Sequence, residues 1–270
     1  MFKLLKIRVL SLLLILVIPI LSFAQSETKT ANSAKVVWSK SVIDSTLNPT
    51  CCDKLATTEI IMKYKPSVDA LAEPIGTCPT GLERGYPESP LSNWAVDALY
   101  DYARNYLDTT NRADIPLDFA LINMGGIRTE MPQGEVTSLD IMAIFPFNNF
   151  LVILELPGKK VLELMQFFAK TNIQAMSHVK LNCKNGEIEE CIINGEPLNP
   201  NKTYYVATID FLRDGGDKLV ALSGYRSQIE TGDKVMDVIL KTVKNITANG
   251  REIEKKIDGR VVTDKEYKKL

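Results

Sequence analysis

The stretch LDFALINMGGIR, residues 117–128, is an apolar run that stops at Gly125-Gly126. Short apolar runs bounded by glycines form buried strands that end in tight turns. Upstream, residues 91–107 (LSNWAVDALYDYARNYL) carry Leu91, Trp94, Ala95, Ala98, Leu99 and Tyr102 at i, i+3, i+4 spacing. That spacing predicts an amphipathic helix with one core face. Residues 58–71 read as a further helix. Downstream, Thr137 and Asp140 form a capping box for a short helix that Pro146 ends. Residues 150–156 (FLVILEL) then read as a strand and 158–170 as a helix. Residues 178–182 and 188–194 make a hairpin around Lys184-Asn185-Gly186-Glu187, because Asn-Gly supports the left-handed turn that joins two strands. A strand over 204–209, a helix marked by Val235, Val238, Ile239, Thr242 and Ile246, and a last strand near 259–262 complete the chain. Strands and helices mix without strict alternation, and one hairpin is antiparallel. This predicts an α+β fold, a single layered domain with a mixed sheet over residues 41–265.

The 270 residues are 45% hydrophobic and 24% charged, the balance of a folded globular chain. Their 32 Lys and Arg nearly match 33 Asp and Glu, so there is no basic field of the kind that phosphate backbones require, and nucleic acid is excluded as a partner. His178 is the one histidine. Mechanisms needing several imidazoles are excluded, no G-x-S-x-G supports a serine hydrolase, and His178 reads as structural. Residues 1–24 combine Lys3, Lys6 and Arg8, an apolar run, and Ser22-Phe23-Ala24, the pattern of a secretory signal peptide. The expected location is the periplasm or the cell exterior, with no membrane association after cleavage. An uncleaved anchor is the weaker alternative, since a span needs about 20 apolar residues. Residues 25–40 read as a polar leader. Five cysteines (Cys51, Cys52, Cys78, Cys183, Cys191) leave at least one unpaired or paired between chains. Counting outward from the Asn185-Gly186 turn sets Cys183 opposite Ile188 and Cys191 opposite Lys180, so a direct bridge would need a bulge. Neither C-x-x-C spacing nor a second His supports a metal site in this chain.

Three turns carry residues suited to ligand contact. The first is Asn123-Met124-Gly125-Gly126-Ile127-Arg128, whose glycines let a backbone approach a ligand and whose Arg presents a charged fork. The others are Pro146-Phe147-Asn148-Asn149 and 211–217, Phe211 to Asp217, each placing an aromatic on a connection rather than in a periodic face. Loop aromatics beside amides and carboxylates are what base stacking uses.

The ordered blocks ESPLSNWAVDAL, ALINMGGIR, PFNNFLVILELPG, INGEPLNPNKTYYVATIDFL, GGD and the closing DGRV resemble the C-terminal domain of the secreted 5′-nucleotidase family, which includes UDP-sugar hydrolases. Departures fall at Ser92 and Met124, which stand where the family has Gly, and at Lys218 and Leu219, where it has Gly and an aromatic. The resemblance implies that Phe147 and Phe211 sandwich a base, that Asp217 accepts from the ribose hydroxyls and that Asn123 contacts the base, while Asn149 matches the amide that follows the first aromatic. Arg128 would meet the ribose or phosphate, with Arg84 the nearest candidate for a further family arginine. The family's catalysis lies in a separate metallophosphoesterase domain with two metals, for which the short stretch between residue 24 and the first matching segment leaves no place. The resulting expectation is a nucleoside- or nucleotide-recognition domain with no cofactor of its own and no activity alone. Hydrolysis would come from an exported metallophosphoesterase subunit carrying divalent metals. The alternative is a stand-alone, non-catalytic nucleotide-binding protein for scavenging or sensing. A third reading keeps the fold without the pocket.

Overall fold

In the computed structural model, residues 56–267 are described, with side-chain burial from Glu59 onward. The signal peptide, the polar leader, Cys51 and Cys52 lie outside the described residues. A first helix, α1 (Ala56–Leu71), is followed by β1 (Pro74–Cys78) and by α2 (Pro90–Thr109). Helix α2 opens on a capping box in which the Ser89 and Ser92 side chains each accept from the other's backbone N–H, with Pro90 pre-set for the first turn. Of its predicted face, Leu91, Trp94, Ala95, Ala98 and Leu99 lie in the core, and Tyr102 is half-buried against it.

The central sheet has the order β10-β4-β9-β2-β5, comprising β2 (Leu117–Ile122), β4 (Phe150–Pro157), β5 (Ala175–Ser177), β9 (Thr203–Ile209) and β10 (Ser227–Lys234). Only β2 and β9 run parallel; the other pairs are antiparallel. The mixed sheet predicted from the sequence is therefore present. Every residue of β2 is buried, which requires cover on both faces of the sheet. Helix α2 packs on β2 and β5, and α4 (Gly158–Lys170) packs on β4 and β9. The turn from β4 into α4 presses on residues 199–202: a Cβ at Gly158 would stand 2.3 Å from the Asn199 carbonyl oxygen, so only glycine fits. Strand β3 (Gly134–Thr137) pairs with β1, and α3 (Ser138–Ile144) follows it on the predicted Thr137–Asp140 capping box. Helix α6 (Val235–Ala248) buries Val235, Val238, Ile239 and Val243.

A second, four-stranded sheet has the order β11-β6-β7-β8, built from β6 (Val179–Lys184), β7 (Glu187–Ile193), β8 (Glu196–Pro197) and β11 (Val261–Thr263). The predicted hairpin turn has Asn185 at φ 52° and Gly186 at φ 77°, the paired left-handed residues that a two-residue hairpin loop requires. Cys183 does face Ile188, but Cys191 faces Leu181, not Lys180. The cause is a register shift between Asn182 and Cys183 that places an extra residue, Glu189, in β7. The shift brings Cys191 to the same face as Cys183 but diagonal to it. Among the described residues Cys78, Cys183 and Cys191 are free thiols, and burial, with Cys183 adding to it, pushes the Cys191 thiol up to about 12.

The two ends of the resembling region meet in one buried clamp. Glu88, 8% exposed, accepts through Oε1 from Asn93 at 2.7 Å and from the backbone N–H of Asp258 at 2.8 Å and Gly259 at 3.2 Å; its Oε2 accepts from Val261 at 3.2 Å. Next to it, Arg260 donates to both oxygens of Asp97 (2.8 and 3.0 Å) and to Asp258 (2.8 and 2.6 Å). Hydrogen bonds to charged groups contribute about 1.5–3 kcal/mol each. Glu88→Ala should therefore destabilise the protein by about 2–4 kcal/mol in urea unfolding. Hydrogen exchange should show residues 258–263 opening ahead of the central sheet. The neighbouring acids add a pH dependence. Hydrogen bonding to Arg260, against opposing burial, lowers the Asp258 carboxyl to about 2. Burial raises Asp97, but hydrogen bonds from Arg260, Lys255 and Ser177 outweigh it and leave it lowered. Both acids thus contribute stability above their unfolded pKa of about 3.9 that is lost as pH falls toward 2. Arg260→Met should flatten the fall of the urea midpoint between pH 5 and pH 2, about one to two units either side of that unfolded value.

Candidate functional site

The parallel pairing of β2 with β9, Ala120 opposite Ala207, sends both strands out at one edge of the sheet. Strand β4 is antiparallel to β9, with Leu151 opposite Ile209, so its first residues lie at that same edge. The three turns singled out in the sequence therefore converge: Asn123–Arg128 after β2, Phe147–Asn149 before β4, and Phe211–Asp217 after β9. Asp210, which sequence reasoning missed, ties two of them together. Its Oδ1 accepts from the N–H of Phe150 (3.1 Å) and of Phe211 (2.8 Å), at the start of the short helix α5 (Asp210–Arg213).

Between the first two turns lies a narrow cleft with an apolar floor of Ile122, Ile127, Phe145, Ile209 and Val235; Asn123, Gly126, Phe147 and Asn149 form its rim. Phe147 is 48% exposed and Phe211 43%. Neither ring is fully buried. The Phe211 ring lies against Gly216, where a Cβ would stand 2.5 Å from ring carbons and from the Phe211 carbonyl oxygen. Gly215, at φ 87°, turns the chain, and Asp217 and Lys218 follow at φ 52° and 64°, a left-handed conformation uncommon for non-glycine residues. This fold-back brings Asp217 to Asn123: Asn123 Nδ2 donates to Asp217 Oδ2 at 2.7 Å.

The two arginines are held by the same turn. Arg84 donates to the Ile127 carbonyl at 2.9 Å, and Arg128 donates to the Gly125 carbonyl at 3.2 Å with its guanidinium 6.0 Å from the Phe147 ring centre, a cation–π distance. Arg128 is exposed, so its remaining donors face outward. Beyond Asp217 a groove of about 410 Å³ opens between Tyr86, Gly125, Asn172 and Lys218. Burial pushes the Tyr86 phenol up, Asp217 adds to the shift and Arg84 opposes it, so the hydroxyl stays a donor at neutral pH. Gln174, also missed from sequence, is buried beneath the turn and accepts from the Met124 N–H at 2.8 Å.

All nine residues selected from the sequence thus flank one edge of the sheet or the turns that leave it. Two larger grooves, about 630 and 600 Å³, run along α2 away from this edge. Their walls hold paired charges, Asp97 with Lys255 (2.6 Å) and with Arg260 (2.8 Å), and they lie apart from the three turns singled out in the sequence. His178 borders the second groove, stacked on Tyr100 with ring centres 3.7 Å apart and with Nδ1 2.9 Å from Ser177 Oγ. Burial lowers its pKa, Asp97 and Asp101 oppose the shift, and it takes no part in the sheet-edge site. Among the described residues no group of three or more His, Cys, Asp or Glu side chains is placed to hold a metal ion, and no helix is long and apolar enough to cross a membrane.

Comparison with known proteins agrees with the order of these elements. Residues 74–224 match the family model of the 5′-nucleotidase C-terminal domain. The chain is 30% identical over 120 residues to protein UshA of Escherichia coli, which covers 43% of this chain and 22% of that protein. It is 28% identical over 177 residues to an apyrase of Tabanus yao, covering 57% and 31% respectively. The chain thus spans about a fifth to a third of the length of these curated relatives. In fold it resembles the 5′-nucleotidase precursor of Thermus thermophilus, with a TM-score of 0.63 at 21% identity over 78% of this chain and 43% of that one. The NAD nucleotidase of Haemophilus influenzae gives a TM-score of 0.58 at 20% identity, over 78% and 41%. With more than half of its length matched by the family model, and the matched strands carrying the turns that build the sheet-edge site, this chain belongs to the 5′-nucleotidase C-terminal domain family.

Proposed function

We propose that the sheet-edge site binds a nucleoside or nucleotide, with the base between Phe147 and Phe211 and the ribose hydroxyls on Asp217. The observation that carries the reading is the pairing of two half-exposed phenylalanines with a polar Asn123–Asp217 contact at one edge of the sheet. Large aromatics left in water on turns gain free energy when a flat ligand covers them, and stacking contributes about 1–3 kcal/mol per base without choosing among bases. Asn149 and the exposed donors of Arg128 supply polar contacts on the base and phosphate sides, with Arg84 and the glycine turn behind them. The groove beyond Asp217 gives the sugar and its substituents room.

The described residues offer no ligand set for a pair of divalent metals, so no hydrolytic step is assigned to them. Two-metal phosphoesterases activate water and stabilise the leaving oxygen through ions held by several His and carboxylates. On this proposal that chemistry belongs to a metallophosphoesterase, exported as this chain is, which acts on the nucleotide this domain presents. A binder that works alone is the outcome if no such enzyme is affected.

Calorimetry with adenosine, AMP and a UDP-sugar tests the binding. Phe147→Ala and Phe211→Ala should each weaken nucleoside binding by about 1–3 kcal/mol and change stability little. A loss of about 3–5 kcal/mol in folding with unchanged affinity would mark the rings as core anchors instead. The purified chain supplied with Mn²⁺ or Zn²⁺ should hydrolyse AMP no faster than buffer. A saturating excess of it should raise the kcat/KM or the selectivity of the exported metallophosphoesterase; an unchanged kcat/KM and no complex by light scattering would leave the stand-alone binder.

A further inference from the structure

We infer that residues 264–267, the segment after β11, form a strap that holds together two separate parts of the lining of the groove beyond Asp217. One part is Tyr86, from the loop before α2; the other is Thr171 and Asn172, where the chain leaves α4. Tyr267 reaches the first. Its ring is stacked on that of Tyr86, with centres 5.2 Å apart and planes within 9°, a spacing at which aromatic pairs attract. The same segment grips the second part. Lys265 donates through Nζ to the Thr171 carbonyl, and the Tyr267 hydroxyl accepts from the Ile173 N–H at 3.5 Å. The last carbonyls of a helix lack partners within it and favour a cation, so the end of α4 is a natural place for Lys265 to hold. The Lys265 amine also lies 5.6 Å from the Tyr267 ring centre, so it steadies the ring that meets Tyr86.

The strap is itself rooted in rigid structure. Strand β11 pairs in parallel with β6, Val261 opposite Leu181 and Thr263 opposite Cys183, and Glu88 accepts from the Val261 N–H. Directly after β11, both oxygens of Asp264 accept from the Asn185 N–H, at 3.2 and 3.0 Å. The two parts of the lining already meet once, through the glycine turn: Arg84 donates to Ile127, and Gln174 accepts from Met124. Pieces joined at one point can pivot about it. The strap adds a second junction and closes the contacts into a ring, which fixes the spacing of Tyr86 from Thr171 and Asn172. A lining ordered before binding lowers the ordering cost of association for whatever enters the groove. On the reading of the sheet-edge site given above, on which this consequence rests, the entering group is the part of a nucleotide beyond the ribose. The strap therefore favours nucleotides with a large substituent there and leaves bare nucleosides unaffected.

The test compares uridine with UDP-glucose, which share base and ribose and differ beyond it, by calorimetry on wild type, Tyr267→Ala, Tyr267→Phe and a chain ending at Thr263. The Ala variant and the shortened chain should lose about three- to tenfold in UDP-glucose affinity and less than about twofold in uridine affinity. Tyr267→Phe keeps the ring and should match wild type. Equal losses for the two ligands, or an unchanged UDP-glucose affinity, overturn the proposal. If the shortened chain fails to fold, the single substitutions carry the comparison. A ligand-free measurement stands beside it. The loop that carries Tyr86 is closed by the Leu91 N–H donating to the Glu83 carbonyl at 3.1 Å, and the Thr171 N–H donates to Phe167 at 2.9 Å. In Tyr267→Ala, hydrogen exchange at Leu91 and Thr171 should quicken at least about threefold while the amides of β2 and β9 keep their wild-type rates. Unchanged exchange at both positions, or equal quickening throughout the sheet, overturns the proposal. If exchange quickens only around the groove while wild type binds neither ligand, the strap stands and the nucleoside reading falls.

Discussion

The parallel contact between β2 and β9 is the constraint on which the rest of this domain depends. In a sheet that is otherwise antiparallel, this one pair makes two strands leave at the same edge, and the antiparallel β4 enters beside them. Had the pair been antiparallel, the turn after β9 would lie at the opposite edge, some six residues or about 20 Å from the turn after β2. The contact is anchored by a buried charge. Between Leu117 and Phe119 the register shifts, and Asp118, 1% exposed, fills the gap by accepting the Tyr205 N–H at 2.8 Å while Lys202 donates to its other oxygen at 2.7 Å. A buried carboxylate without both donors would carry a desolvation penalty of several kcal/mol. The acid that interrupts LDFALI therefore specifies which strand lies next to it.

From that register the site follows with few additional devices. Asp210 gathers the start of β4 and the start of α5 on one carboxylate oxygen, which fixes the roots of the Phe147 and Phe211 turns relative to each other. The Asn149 carbonyl accepts from Val235 at 2.9 Å and roots the first helical turn of α6 in the same place. The rings then stand on rigid stems while their faces remain in water. Leaving about half of a phenylalanine exposed forgoes part of the roughly 1.5–3 kcal/mol that full burial would contribute, and a flat ligand recovers it. The Glu88 and Arg260 clamp, built from residues outside these turns, adds stability that does not depend on the exposed rings.

Much of this was legible because the signals were local. The apolar run before Gly125-Gly126, the i, i+3, i+4 face of 91–107, the Thr137–Asp140 box and the Asn-Gly turn each state their geometry within a few residues. What escaped had no local signal. Strand β10, SQIETGDK, lies at an edge and is largely exposed, so no alternation of apolar residues marks it, and its partner β4 supplies the pairing. The position of Cys191 depended on one bulge residue that the hairpin count could not contain. Asp210 and Gln174 work through backbone groups far away in sequence, and nothing in their neighbours distinguishes them from surface polar residues. The nine candidate residues were selected through motif order, yet the contact between two of them was not: Asn123 and Asp217 were assigned to different parts of a ligand, and their 2.7 Å contact exists only because two turns meet at one edge.

The residues at 218 and 219 make that contact matter more. Lys218 occupies a left-handed position at φ 64° where the resemblance has glycine, and a non-glycine residue there costs on the order of 1 kcal/mol. Leu219, in place of an aromatic, is buried, so the turn is closed by an aliphatic anchor from within rather than by a ring at its surface. A strained residue directly after Asp217 favours release of the turn, and a small anchor gives it less to grip. The counterweight is the contact from the end of β2, a fully buried strand. In this chain the Asn123–Asp217 contact ties the strained turn to the end of β2, and Gly126 leaves the Asn123 side chain the room it occupies in that contact.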